Sequence, residues 1–166
     1  MANPPETLIA ERYAVQLGQP LPDAGGGLPS FAARDRQTGD TALMAVQVRR
    51  DLPARSHVLN ILAQPIDHLL TPLGHGPAPG PRGEAGYFVI CPAPPGPPLA
   101  GRLRPWSEAA LVAFALRPIA SALEKLAAHN LTHRGIRLNN VFEGQRGQAL
   151  TLGAAWAAPP ALLQPA

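Results

Sequence analysis

The chain has 166 residues and a formal net charge of +3, a length that suits about one domain. An apolar share of 46% can supply a folded core, so a chain that is disordered throughout is not expected. The basic residues are almost all Arg and are scattered, and only 5% of residues are aromatic, which argues against a nucleic-acid surface. Cys91 is the only cysteine, so an internal disulfide is excluded and a reducing compartment is favoured.

No apolar run approaches the ~18 residues that a membrane span needs. The first six residues also lack the basic and apolar regions of a secretion signal. We therefore expect a soluble, cytoplasmic protein without a membrane partner. The 16 Gly and 21 Pro predict many turns and few long uninterrupted elements.

The first half of the chain predicts a β-sheet that follows an N-terminal tail over residues 1–10. Apolar runs bounded by turn residues are typical of strands. Such runs lie at 11–17, on either side of a turn in 30–48, at 68–76 and at 87–91. The Gly- and Pro-rich stretch 18–29 predicts a flexible hairpin tip, and residues 54–63 predict a short helix.

The second half begins with a proline-rich segment, 92–98, which predicts an extended and stiff connection because each Pro fixes its own φ angle. A short helical segment is expected over 99–104. The longest helix is then predicted from the N-cap Ser107 to His129 and Asn130. Pro118 interrupts its pattern, so we expect a kink in the preceding turn or two abutting helices.

A polar stretch, residues 129–142, follows this helix. In order and setting it resembles the catalytic loop of protein kinases, whose pattern is His-Arg-Asp, four further residues and Asn. His133 and Arg134 match the first two positions and Asn140 matches the last. Gly135 stands where the family has its catalytic Asp, and a glycine has no side chain to accept a proton.

Two other stretches carry the same resemblance, and both depart from the family at a charged position. The hairpin within 30–48 resembles the second and third strands of bacterial Ser/Thr kinases, whose third strand ends in Val-Ala-x-Lys. Gln47 occupies the place of that Lys and cannot supply its charge to phosphates. Residues 149–156 resemble the Asp-Phe-Gly strand and turn, with Leu152 or Gly153 at the metal-binding position.

The resemblance implies an α+β fold of two lobes, a protein-kinase-like fold whose antiparallel N-lobe has five strands and a reduced helix. It implies an N-lobe over 11–91, a Pro-rich hinge over 92–98 and a partial helical C-lobe over 99–166. The C-lobe is shorter than the family's, which predicts an exposed apolar flank covered by a protein partner or by the remainder of a longer polypeptide.

The implied function is that of a pseudokinase, a catalytically inactive regulatory or scaffolding module that acts through protein contacts. Neither ATP nor magnesium is expected to bind, since Asn140 alone offers too few oxygen ligands for the ion. The alternative is an atypical nucleotide-binding protein whose phosphate site is rebuilt from arginines such as Arg49 or Arg137. A small assembly subunit with only an ancestral resemblance to kinases is a third hypothesis.

Two narrower alternatives concern single motifs. His129 and His133 are four residues apart and could form a helical metal pair, but the Glu of a metalloprotease motif is missing and no third ligand is evident. The prolines of 92–98 could bind a Pro-recognising partner, although a short linker explains the same residues.

Overall fold

A six-stranded antiparallel sheet forms the N-terminal half of the molecule. The computed structural model describes residues 6–48, 59, 64–101, 104–145 and 148–155. The strands of the sheet follow the order β1-β2-β3-β4-β6-β5. They are β1 (Glu6–Ile9), β2 (Tyr13–Pro20), β3 (Ser30–Asp35), β4 (Leu43–Gln47), β5 (Gly74–Pro79) and β6 (Ala85–Pro92).

The sheet curls on itself, because β1 at one edge also contacts β5 at the other. A Cβ atom added to Gly76 of β5 would lie 3.5 Å from Cγ2 of Ile9. The concave face encloses an apolar cluster in which Phe31 and Phe88 pack edge to face, with 6.3 Å between ring centroids. Alternate residues of each strand point into this cluster, as the two-residue period of a strand requires.

Three sequence-based expectations about this sheet are wrong. Residues 6–9 of the predicted tail form strand β1, since their backbone pairs with β2 and Ile9 is fully buried. The sheet accordingly has six strands rather than five. The strand expected at 68–76 begins only at Gly74 and runs through Pro79, because residues 68–70 pair with Leu152 in the second half of the chain instead.

The predicted helix over 54–63 lies outside the described residues, apart from Leu59, which is helical and buried. A 3₁₀ turn at Leu99–Gly101 begins the second half of the molecule, as expected. Helix α1 (Glu108–Leu111) then starts at Ser107, whose hydroxyl accepts a hydrogen bond from the amide of Ala110.

The long helix continues from α1 through one π-helical turn, Val112–Leu116, into α2 (Arg117–Ala128). The π-helical turn lies just before Pro118, in the region where the sequence predicted a kink or a junction of two helices. Pro118 has no N–H group, so the carbonyl of Phe114 loses its α-helical donor. The amide of Leu150, from another part of the chain, donates to that carbonyl at 2.7 Å.

A second sheet of two short strands, β7 (Val141–Phe142) and β8 (Thr151–Leu152), connects the halves of the molecule. On one side the amide of Leu70 donates to the carbonyl of Leu152 at 2.9 Å. On the other side Pro98 bridges to Phe142, and the amide of Glu143 donates to Pro97 at 2.9 Å. The proline-rich connection is therefore packed against the C-terminal half.

One apolar core crosses the boundary between the halves. Buried side chains from the convex face of the sheet and from the helical half contribute to a single cluster. The cluster includes Met44, Val46, Val89 and Cys91 of the sheet and Leu126, Phe142 and Leu152 of the other half. This arrangement is an α+β fold with two lobes and a reduced helical lobe. Among the described residues, no helix has the length and apolar character needed to cross a bilayer.

Candidate functional site

The polar loop after α2 is held in place by a buried histidine. His133 is 2% exposed, and its Nδ1 atom accepts a hydrogen bond from the amide of Gly135 at 3.1 Å. With Nδ1 as the acceptor, Nε2 carries the proton and donates to the carbonyl of Gly153 at 3.0 Å. The ring thus fixes both the loop and the turn that follows β8.

Asn140 closes the loop from its other end. Its Nδ2 atom donates to the carbonyl of Gly135 at 2.8 Å, a hydrogen bond across its own loop. Its backbone carbonyl accepts from the amide of Gly153 at 2.8 Å, and the residue is 3% exposed. His133 and Asn140 therefore bind Gly135 and Gly153 from two sides.

The turn between β2 and β3 packs directly onto this loop. Gly25 and Gly26 are buried, and Nη2 of Arg137 donates to the carbonyl of Gly26 at 3.0 Å. Gly26 has a φ angle of +61°, which favours glycine. The expectation of a flexible hairpin tip is wrong, because the tip is docked against the opposite half.

Asn140 requires glycine on both sides of its side chain. A Cβ atom on Gly26 or on Gly153 would overlap the side-chain oxygen Oδ1 of Asn140. The turn between β2 and β3 and the turn after β8 therefore fill the space next to this oxygen. Gly135 is different, since a Cβ atom there would lie 3.4 Å from Nδ2 of Asn140, a tight but tolerable contact.

Solved structures of a protein kinase and of a pseudokinase are similar in fold to this chain. The kinase domain of PknI from Mycobacterium tuberculosis, in two crystal structures, matches with TM-scores of 0.70 and 0.67 at 13% and 15% identity. The matches cover 96% of this chain and 65% and 64% of the PknI chains, so the chain spans less than two thirds of their length. The PAN3 pseudokinase of Neurospora crassa matches with a TM-score of 0.67 at 16% identity, over 90% of this chain and 42% of its own.

The chain has a protein-kinase-like fold. No family model and no curated protein matches it. At these identities the likeness shows the fold alone. The loop of His133 and Asn140 follows the long helix and precedes the two-stranded sheet.

Gln47 is a partly buried residue at the end of strand β4. Nε2 of Gln47 donates to Oε1 of Glu84, in the connection between β5 and β6, at 3.2 Å. The neighbouring Val46 points the opposite way, into the core shared by both lobes. Gln47 therefore lies on the opposite side of β4 from Val46, and the register of β4 on β6 sets that side. Lys125, the only lysine in the sequence, pairs with Asp67 at 2.9 Å instead.

The arginines of the loop have local partners. Nε of Arg134 donates to the hydroxyl of Thr132 at 3.1 Å, within the loop itself, and the backbone of Arg134 has a φ angle of +57°. Arg137 binds the Gly26 carbonyl as described above. Arg49, the other arginine proposed for a rebuilt phosphate site, lies outside the described residues.

The histidine pair does not form. Helix α2 ends at Ala128 with His129 as its C-cap, so His129 and His133 do not share a helix face. His129 is exposed whereas His133 is buried in the loop. Within the described part of the chain, no group of three or more His, Cys, Asp or Glu side chains could hold a metal ion.

A pocket of about 690 Å³ lies beside the proline-rich hinge. Its polar lining comes from Asp23, Arg104, Asn139 and Glu143. Prolines and Ala100 supply much of the rest. Asn140 and Gly153 do not line it, so the pocket is offset from the packed glycines. Neither this pocket nor the docking of Gly26 was predicted from the sequence. The run of three glycines at 25–27 was the available signal for the second feature.

Proposed function

We propose that this chain is a non-catalytic protein-interaction module, with a regulatory or scaffolding role, built on a kinase-like fold. The observation that supports this most directly is the packing around Asn140. In a kinase, the Asn at this position holds a metal ion that bridges the phosphates. Here the glycines at 26 and 153 occupy the space beside Oδ1, so a metal ion would first have to displace the turn between β2 and β3.

The charges at the loop support the same proposal. Phosphoryl transfer depends on positioned charge to stabilise the transferred group and on a base for the attacking hydroxyl. Gly135 and Gly153 provide neither, and Gln47 is neutral and directed at Glu84. The carboxylates of Asp23 and Glu143 line the hinge pocket rather than the space beside Asn140.

The shared apolar core argues for a fixed arrangement of the lobes. Kinase lobes must move relative to one another to admit nucleotide and release product. In this chain Val46 and Val89 of the sheet are packed in the same buried cluster as Leu126 and Phe142 of the helical lobe. Opening the lobes would expose this apolar surface to water, at a free-energy cost of about 25 cal/mol per Å². The likeness to a pseudokinase, PAN3, is compatible with a non-catalytic role.

Thermal unfolding with and without ATP and Mg²⁺ tests the proposal, together with transfer of radiolabel from ATP to the chain or to a generic protein acceptor. We expect no change in Tm beyond that caused by Mg²⁺ alone, and no transferred label. A ligand present at a hundredfold excess over its Kd would stabilise the folded state by about 2.7 kcal/mol, which such a scan detects. Label transfer, or a Tm increase that needs nucleotide, contradicts the proposal.

The second candidate function is nucleotide binding without the usual phosphate site, and the hinge pocket favours it. If a nucleotide binds there, the substitution Glu143→Gln should change the Tm increase. Glu124→Gln, on the exposed side of α2, is the matched control and should leave it unchanged. This pair of variants separates binding in the pocket from weak binding elsewhere.

A further inference from the structure

The loop between α2 and β7 presents a regular outward face. Buried and exposed residues alternate from Leu131 to Ile136, with Leu131, His133 and Gly135 inside. Thr132, Arg134 and Ile136 are exposed, and the exposure continues through Leu138. The hydrogen bonds of His133 and Asn140 hold the inner residues, so the outward side chains project from a fixed backbone.

Two large aliphatic side chains are exposed on this face. Ile136 is 49% exposed and Leu138 is 65% exposed. Single exposed aliphatic residues are common on proteins, and two of them on a fixed backbone offer apolar area that a partner can cover. Burial of these side chains by a partner would contribute a favourable free energy of about 25 cal/mol per Å² of apolar area.

The charged side chains on the same face are all positive. Residues 129–142 contain two arginines and no Asp or Glu. Among the residues that the structure describes, neither Arg134 nor Arg137 forms an ion pair, since each donates only to a neutral oxygen. An arginine that binds only neutral oxygens favours an acidic group on a partner, which it can bind through two parallel hydrogen bonds.

The basic and aliphatic surface ends at Asn139. Asn139 lines the hinge pocket together with Asp23 and Glu143, whose carboxylates would repel an acidic ligand. The basic and aliphatic character is therefore confined to residues 132–138, which we call the loop face.

We propose that the loop face docks an acidic segment of a protein partner, with aliphatic side chains of that segment placed between its carboxylates. This inference rests on the proposed function and specifies the partner surface and its chemistry. The carboxylates would contact Arg134, and the aliphatic side chains would cover Ile136 and Leu138. Because the loop is already fixed, binding costs little ordering of the protein.

Fluorescence anisotropy of a short labelled peptide that alternates Glu and Leu tests the proposal on the full chain. One control peptide replaces each Glu by Lys, and a second replaces each Leu by Ser. We expect binding of the first peptide only, weakened as NaCl rises from about 0.05 to 0.5 M because salt screens exposed charges. Equal binding of either control peptide overturns the proposed chemistry.

Variants of the chain locate the site. Arg134→Glu and Leu138→Ser should each weaken binding by about tenfold or more, since each removes a central contact. Their matched controls are Arg117→Glu and Leu116→Ser, which change an exposed arginine and a 55% exposed leucine on the long helix. The controls should bind as the unchanged chain does. All variants must first show an unchanged far-UV spectrum and Tm.

The outcomes separate this inference from the proposed function. If nucleotide has no effect on Tm and the loop variants bind the peptide normally, the docking site is wrong and the non-catalytic module stands. If nucleotide binds or label is transferred, the proposed function itself fails. A concentration-dependent dimer in sedimentation that Leu138→Ser dissociates would overturn the inference in favour of a second copy of this chain.

Discussion

The backbone amide of Leu150 donates a 2.7 Å hydrogen bond to the carbonyl oxygen of Phe114 in the long helix. Pro118, four residues after Phe114, has no N–H group to offer that carbonyl. A helix interrupted by proline normally satisfies the freed carbonyl with water or another donor. Here the donor comes from the segment before β8, so the proline creates an attachment point between the helix and the small sheet.

This bond makes a measurable prediction about Leu150, which is 2% exposed although it belongs to no strand. In hydrogen exchange followed by NMR, its amide should exchange at a rate similar to that of Val46 or Val89 in the central strands. It should be slower by more than about a thousandfold than the amide of Arg82, which donates only to the carboxylate of Glu84 at the surface, because release of the Leu150 amide requires large-scale opening. Fast exchange at Leu150 would show that the helix and the small sheet separate readily.

Sequence patterns predicted the elements that depend on neighbouring residues. The capping by Ser107 and the irregular turn before Pro118 are local features. The docking of Gly26 could not be predicted in this way, because Arg137 and Asn140 lie more than a hundred residues further along the chain. The same reason applies to Gln47, whose orientation is set by the register of β4 on β6.

The packing of Gly26 against Asn140 predicts that alanine at position 26 lowers the free energy of unfolding more than alanine at Gly39 does. Gly39 has a φ angle of +78° with open space around it, so Gly39→Ala should cost only the backbone strain of about 1 kcal/mol. Gly26→Ala has a similar strain and adds an overlap with the Asn140 side chain. We expect a further loss of about 1–3 kcal/mol in the free energy of unfolding, measured by urea denaturation.

The double variant Gly26→Ala with Asn140→Ala tests the origin of that loss. Removal of the Asn140 carboxamide eliminates the overlapping atoms, so the two changes should not be additive. The double variant should be more stable than the sum of the single effects by about 1 kcal/mol or more. Additive effects would place the cost of Gly26→Ala in its backbone alone.

Cys91 provides a chemical probe of the core shared by the two lobes. Its side chain is fully buried, and this burial raises the pKa of the thiol to about 12. Only the thiolate attacks disulfide reagents, and an ordinary thiol has a pKa of about 8.5. At pH 8 the folded chain should react with an aromatic disulfide about a thousandfold more slowly than the chain in guanidinium chloride. Similar rates in the two conditions would mean that the core opens easily.

The interaction of Asp35 with Arg12 should make the stability of the fold depend on pH. Arg12 binds its carboxylate with Nε at 3.1 Å and Nη2 at 2.6 Å, and the amide of Gln37 donates to Oδ1 at 2.9 Å. These hydrogen bonds, that from Arg12 first, hold the pKa of Asp35 well below its usual value against the opposing effect of burial.

A carboxyl group whose pKa is lower in the folded state stabilises the fold above its unfolded pKa of about 3.9, and this contribution is lost as pH falls further. Asp35→Asn should therefore reduce the free energy of unfolding at pH 7, and the difference from the unchanged chain should shrink between about pH 5 and pH 2. Glu11→Gln, an exposed position outside the ion pairs of the described residues, should leave the shape of the pH profile unchanged. Urea denaturation across this pH range measures both profiles. A constant difference between Asp35→Asn and the unchanged chain down to pH 2 would show that Asp35 contributes through packing rather than through its charge.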